Sequence, residues 1–166
     1  PPGPALLRGL TQLDDGESWL LEPRCHPDNP RLWSPGIKLG VVAGSFAHTT
    51  ELFGPVLGVM RADDLEHAID LANATPYGLT AGLHSLDERE QARFVERMRC
   101  GNLYVNRSIT GAIVGRQPFG GHKASSVGPG AKAGGPNYVV QLQELSDAEP
   151  ERPSVSSVPS PLLPAA

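Results

Sequence analysis

The chain has 166 residues, 39% of them apolar, and a formal net charge of −4, which is material for one modest domain. Its fourteen Lys and Arg are scattered and outnumbered by eighteen acids, so no basic stripe exists to neutralise a nucleic-acid backbone. No apolar run nears the ~20 residues of a membrane helix and no signal-like segment opens the chain, which argues against a nucleic-acid partner and a membrane span and for a cytoplasmic setting.

The opening PPGPALL shows no helix or strand period, and the first residue is Pro1 rather than Met. Residues 1–32 therefore read as an irregular lead-in from a truncated upstream region. Within the Pro- and Gly-rich first fifty residues, Trp19–Leu21 and Ile37–Val42 are short strand candidates. From Pro55 the pattern is regular. VLGVMR is β-leaning, and DDLEHAIDLANA puts Leu65, Ala68, Ile69 and Ala72 on one helical face, with Asp63 as N-cap, Glu66 three residues on, and a stop before Pro76. LTAGLHS is the next strand. DEREQARFVERMRC is the next helix, with Phe94, Val95 and Met98 at helical spacing, Asp87 as cap and Gly101 as C-cap. Asn102–Arg107 makes a third strand. The order β-α-β-α-β predicts an α/β fold with a parallel sheet, whose ligands bind beyond the carboxyl ends of the strands. Tyr138–Leu145 reads as one more strand. Residues 146–166, with five prolines and no aromatic side chain, read as a disordered tail.

Cys25 and Cys100 are too few for a disulfide framework and lack a C-x-x-C partner, so both read as reduced thiols. The five histidines stand apart, without metal-ligand spacing, and neither a Walker motif nor a helix-opening G-x-G-x-x-G is present. The densest signal is Gly101–Tyr138, which holds nine of the nineteen glycines with Tyr, Asn, Arg, Gln, Phe and Lys between them. That composition is a loop built around something small rather than a linker. The Thr110-Gly111-Ala112 turn can present consecutive amides to an anion or be an ordinary tight turn. The cluster Arg116, Gln117, Pro118, Phe119, Gly120 and Gly121 follows it. Upstream, Glu51 in ELFGPV can accept from the two hydroxyls of a ribose while Phe53 packs on a flat ring. The same spacing also suits a solvated acid and a core phenylalanine.

Taken together, ELFGPV at Glu51, NATPYGLTAGLHS from Asn73, GNLYVNR from Gly101 and QPFGG from Gln117 resemble the C-terminal part of the catalytic domain of NAD-dependent aldehyde dehydrogenases, in order and spacing over residues 50–142. NRSITGAIVGRQPFGG with KAGGPNY resembles the L-glutamate γ-semialdehyde (1-pyrroline-5-carboxylate) dehydrogenases, including those that end bifunctional proline-utilisation enzymes, and the likeness reaches back to about Trp33. The resemblance implies that residues 33–145 are this part of the catalytic domain and that Tyr138–Leu145 is its oligomerisation strand in a homo-oligomer. It further implies that Glu51 holds the nicotinamide ribose of NAD with Phe53 beside the nicotinamide, that Gly111 and Ala112 anchor the substrate's α-carboxylate, and that Phe119 walls the aldehyde channel. The implied reaction is thiolate attack, hydride transfer to NAD and thioester hydrolysis. The family's nucleophilic cysteine, general-base glutamate and oxyanion asparagine would lie upstream, and neither Cys25 nor Cys100 has the nucleophile's context. This chain would then supply walls and anchors without the reacting group. Two other readings remain: a non-catalytic module of the same fold kept for oligomerisation or binding, and an aldehyde dehydrogenase for another substrate.

Overall fold

The computed structural model describes residues 1–127 and 131–147. The expected disordered tail lies, from residue 148 on, outside the described residues.

The chain opens on a helix, α1 (Pro4–Thr11), where the sequence promises an irregular lead-in. Pro4 stands at the helix start, the one place where its missing N–H costs nothing, and three apolar residues suffice for so short an element. Leu10 is buried and Leu6 lies over Gly54. Three short strands follow: β1 (Ser18–Leu21), β2 (Cys25–His26) and β3 (Asn29–Trp33), the last two paired antiparallel. Residues 1–32 are thus largely regular.

Strand β4 (Gly36–Leu39) pairs antiparallel with β1 and parallel with β5 (Val56–Gly58). A one-turn helix, α2 (Phe46–Thr49), lies between β4 and β5. At the centre of β4 stands a buried lysine. Lys38 Nζ donates to Gln12 O at 2.6 Å and to Glu17 Oε2 at 3.1 Å, and it lies 5.2 Å from the Trp19 ring centroid. Both side chains of the pair are almost fully buried. One cation therefore ties the end of α1, the approach to β1 and the middle of β4.

Helix α3 (Leu65–Asn73) is capped by Asp64, not by the Asp63 that the sequence suggests: Asp64 is extended and its Oδ1 accepts from the His67 amide at 2.8 Å. Ile69 is buried, while Ala72 is exposed. After β6 (Tyr77–Gly78) and β7 (Thr80–Leu83) comes α4 (Glu88–Arg97), capped by Asp87 as expected. Arg89 beside Asp87 holds its carboxyl below the usual range. Phe94 is buried, but Val95 is exposed, and the helix is closed by Met98 rather than Gly101. The two crossover helices lie side by side, joined by ion pairs. Glu66 accepts from Arg93 Nε at 2.6 Å and from Arg97, whose other nitrogen reaches Asp70 at 2.8 Å. The Asn73 side chain bonds Arg97 O and the Arg99 amide.

Strand β8 (Asn102–Val105) pairs parallel with β7, Thr80 opposite Asn102 and Leu83 opposite Val105. Asn106 extends the ladder with its side chain, accepting from Ser85 N at 2.9 Å and donating to Ser85 O at 2.8 Å. The β-α-β-α-β order is present. Of its three strands, β5, β7 and β8, only β7 and β8 pair, in parallel; β5 pairs in parallel with β4 in a separate ladder, and β5 and β7 are not hydrogen-bonded neighbours. A last strand, β9 (His122–Lys123), pairs with β6.

Tyr138–Leu145 is not a strand here. It forms turns and a 3₁₀ helix over Val140–Leu142. A strand needs a neighbour for its ladder, and among the described residues no strand edge pairs with it. Tyr138, Val139, Val140, Leu142 and Leu145 are all exposed, among twenty-one large apolar side chains so placed against five buried apolar residues in the described part of the chain. Exposed apolar surface on this scale is the mark of a contact surface.

Candidate functional site

The segment after β8 turns back along the sheet. Ile109 lies over Gly82, and the loop encloses a cavity of about 580 Å³ bounded by Leu79, Thr80, Ile109–Val114, Gln117, Phe119, Ala133 and Gly134. The cavity meets β7 at its amino end, not at the carboxyl end to which the parallel-sheet rule points, because the return of the loop overrides the direction of the strand.

Three of the residues singled out in the sequence, Gly111, Ala112 and Phe119, line this one cavity. Gly111 has φ +87°, a conformation that costs an L side chain ~1–2 kcal/mol. Neither its amide nor that of Ala112 donates to any partner among the described residues. By contrast, the nearby amides of Gly115, Arg116 and Gln117 are taken by Gly134 O and Ile113 O, and that of Thr110 by Ser108 Oγ. Four consecutive amides, those of Gly111 to Val114, therefore have no partner among the described residues, and all four residues line the cavity. No acidic side chain lines it, and a concave, mostly apolar space with a few convergent donors is what a small ligand with one anionic end requires.

Phe119 is held on both sides. Its own N–H and C=O pair with Ala133 at 2.8 and 2.9 Å, and the Asn102 side chain holds the peptide groups before and after it. Behind the wall, Gln117 Nε2 donates to the hydroxyl of buried Tyr104 at 3.0 Å, and the Arg107 guanidinium lies over the Tyr104 ring. Sequence reading missed Leu79 and Thr80, at the start of β7, which line the cavity, and Asn102, which holds its wall; their apolar strand pattern gives no sign of either role.

Glu51 and Phe53 do not line this cavity. They sit on a loop carried by α1. Leu52 packs so closely over Gly9 that a methyl group there would overlap it, and the alternation turns its neighbours outward. Phe53 is 86% exposed with φ +50°, and Glu51 is exposed without a hydrogen-bond partner among the described residues. Glu51 is thus a solvated acid, as the second reading of the spacing expects, whereas Phe53 is not a core phenylalanine.

The two thiols stand elsewhere. Cys25 is exposed in β2, and Cys100 is half-buried just before β8. Burial raises the Cys100 pKa above the ordinary thiol value, against a smaller opposing effect of Lys123. It is a poor nucleophile at neutral pH, since the thiolate is the reactive form. Among the described residues no group of His, Cys, Asp and Glu could hold a metal ion, and no helix is long and apolar enough to cross a membrane.

The fold and the cavity define the class: residues 6–146 match the aldehyde dehydrogenase family, and the chain belongs to it. The chain is 49% identical over 111 residues to the bifunctional protein PutA of Rhizobium meliloti, covering 66% of this chain and 9% of that protein. It is 41% identical over 139 residues to the 1-pyrroline-5-carboxylate dehydrogenase of Bacillus thuringiensis, covering 82% and 24%. Among solved structures, proline utilization A from Corynebacterium freiburgense superposes with a TM-score of 0.87 at 59% identity, over 96% of this chain and 16% of that one. A Thermus 1-pyrroline-5-carboxylate dehydrogenase with bound NAD gives 0.72 at 34%, over 82% and 27%. The chain thus spans no more than about a quarter of the length of these curated relatives.

Proposed function

We propose that this chain forms the substrate-anchoring part of an NAD-dependent dehydrogenase that oxidises L-glutamate γ-semialdehyde to L-glutamate in proline catabolism. The observation that carries this reading is the run of open, consecutive amides that begins with Gly111 and Ala112, on a cavity free of acidic side chains. A carboxylate accepting both would be fixed by charge-assisted hydrogen bonds, which orient the far, aldehyde end of a five-carbon substrate. Phe119 excludes water from that path and confines the chain of the substrate.

NAD, when bound, supplies the hydride acceptor. The residues suited to hold it here are Glu51, toward the ribose hydroxyls, and Phe53, against the nicotinamide region. The nucleophile is assigned to other parts of the same polypeptide, because Cys100 is a neutral, half-buried thiol and neither cysteine lines the cavity. The exposed apolar run Tyr138–Leu145 supports a subunit contact in a homo-oligomer, with the 3₁₀ turn exchanged for a strand once a partner edge is present. The free thiols accord with a cytoplasmic setting.

The test measures NADH formation from pyrroline-5-carboxylate with NAD. The complete polypeptide that carries this chain should turn over and the 166-residue chain alone should not. Turnover by the short chain that is abolished by Cys25→Ala or Cys100→Ala would overturn the assignment, and so would a complete polypeptide that is inactive on this substrate while oxidising simple aldehydes.

A further inference from the structure

The side chain of Asn102 is buried, with 6% of its surface exposed, at the first position of β8. Its backbone N–H already serves the ladder, donating to Leu79 O. Its amide group is engaged outside the sheet: Nδ2 donates to Pro118 O at 2.9 Å and Oδ1 accepts from the Gly120 amide at 3.2 Å. These are the two peptide groups that flank Phe119. With the Ala133 pair on the other side, all four backbone polar groups around Phe119 are taken, two by one side chain. A buried amide satisfied at both ends is costly to break and tolerates one geometry.

We propose that Asn102 is a positioning residue for aldehyde binding: it holds the Phe119 peptide at fixed depth, and thereby sets the width of the cavity on which Gly111 and Ala112 open. The inference rests on reading that cavity as the aldehyde site. Asn102 touches no substrate. Its influence passes through Phe119 alone, which separates it from a residue that merely stabilises the fold.

The test uses the complete polypeptide that carries this chain. Asn102→Ala should raise KM for glutamate semialdehyde and for propionaldehyde alike, by about tenfold, the scale of losing two neutral hydrogen bonds, and leave KM for NAD unchanged. In a Phe119→Ala background the same substitution should change KM by less than about twofold, because coupled residues are not additive, while its lowering of the melting temperature persists. A KM effect equal in both backgrounds, or a fall in kcat with KM unchanged, would overturn the proposal. Amide hydrogen exchange is read in the same variants and does not depend on what binds: Gly120 N–H should exchange at least about tenfold faster in Asn102→Ala, and unchanged protection would overturn the clamp. If Phe119→Ala alone leaves both aldehyde KM values unchanged, the aldehyde reading of the cavity fails, and exchange still decides whether the clamp exists. Should Asn102→Ala not fold, Asn102→Asp keeps the size and the acceptor for Gly120. It should keep Gly120 protected yet raise KM, and a wild-type KM would overturn the proposal.

Discussion

Replacing Gly111 by valine tests the carboxylate anchor. The position has φ +87° and a Cβ there would meet no atom within 4 Å, so the substitution creates no collision. Its whole effect is conformational: a β-branched residue in the left-handed region is disfavoured by ~1–2 kcal/mol or more, and the turn relieves this by rotating the Gly111–Ala112 peptide. Rotation withdraws at least one of the two amides from the cavity. A hydrogen bond to a charged group contributes ~1.5–3 kcal/mol, so losing one weakens binding of a carboxylate-bearing substrate by about 10- to 150-fold. In the complete polypeptide, KM for glutamate semialdehyde should rise by that factor, KM for propionaldehyde by less than about threefold, and KM for NAD not at all. Gly115→Val is the control. Gly115 has φ +78° and equally open surroundings, but its amide is committed to Gly134 O at 2.8 Å and it does not line the cavity, so it should not discriminate between the aldehydes. Equal losses on both aldehydes in Gly111→Val would mean that the loop had simply been disturbed, and the anchor would have no support.

Lys38→Ala should destabilise the protein by ~3–5 kcal/mol in denaturant melts, because it strands the buried Glu17 charge, whereas Lys38→Met with Glu17→Leu, which removes both charges and keeps the volume, should recover most of the loss. Iodoacetamide at pH 7 should label exposed Cys25 well before half-buried Cys100, whose raised pKa leaves less thiolate at any given pH; the gap should narrow only as pH rises beyond the ordinary thiol range, as read by mass spectrometry. Val140→Asp with Leu142→Asp should lower the oligomeric state of the complete polypeptide by sedimentation, since the two side chains are 50% and 71% exposed and would be buried only in a subunit contact.

The parts of the fold governed by local rules were legible. Asp87 at its cap, the stop before Pro76 and the strand at Asn102 each depend on a few neighbouring residues. Asp64 displaced Asp63 as cap because two adjacent aspartates satisfy the same pattern and only backbone geometry chooses. Helix α1 was hidden by its prolines, although one of them occupies the single helical position that tolerates it. The segment expected as a strand at Tyr138–Leu145 is a turn and a 3₁₀ helix, because a ladder needs a neighbouring edge, which no local pattern supplies. At the site, Gly111, Ala112 and Phe119 were visible as a glycine-spaced loop and do meet at one cavity. That the cavity closes on the amino end of β7, and that Asn102 clamps its wall, are consequences of a chain reversal between residues 106 and 119, and composition carries no record of such a reversal.

The most direct measurement is a crystal structure of the complete polypeptide with L-glutamate, the product, bound. The α-carboxylate should accept from the amides of Gly111 and Ala112 at roughly 2.7–2.9 Å, with Phe119 against the carbon chain. A carboxylate held instead by a side chain elsewhere, with those two amides turned away or bonded to protein, would contradict the account.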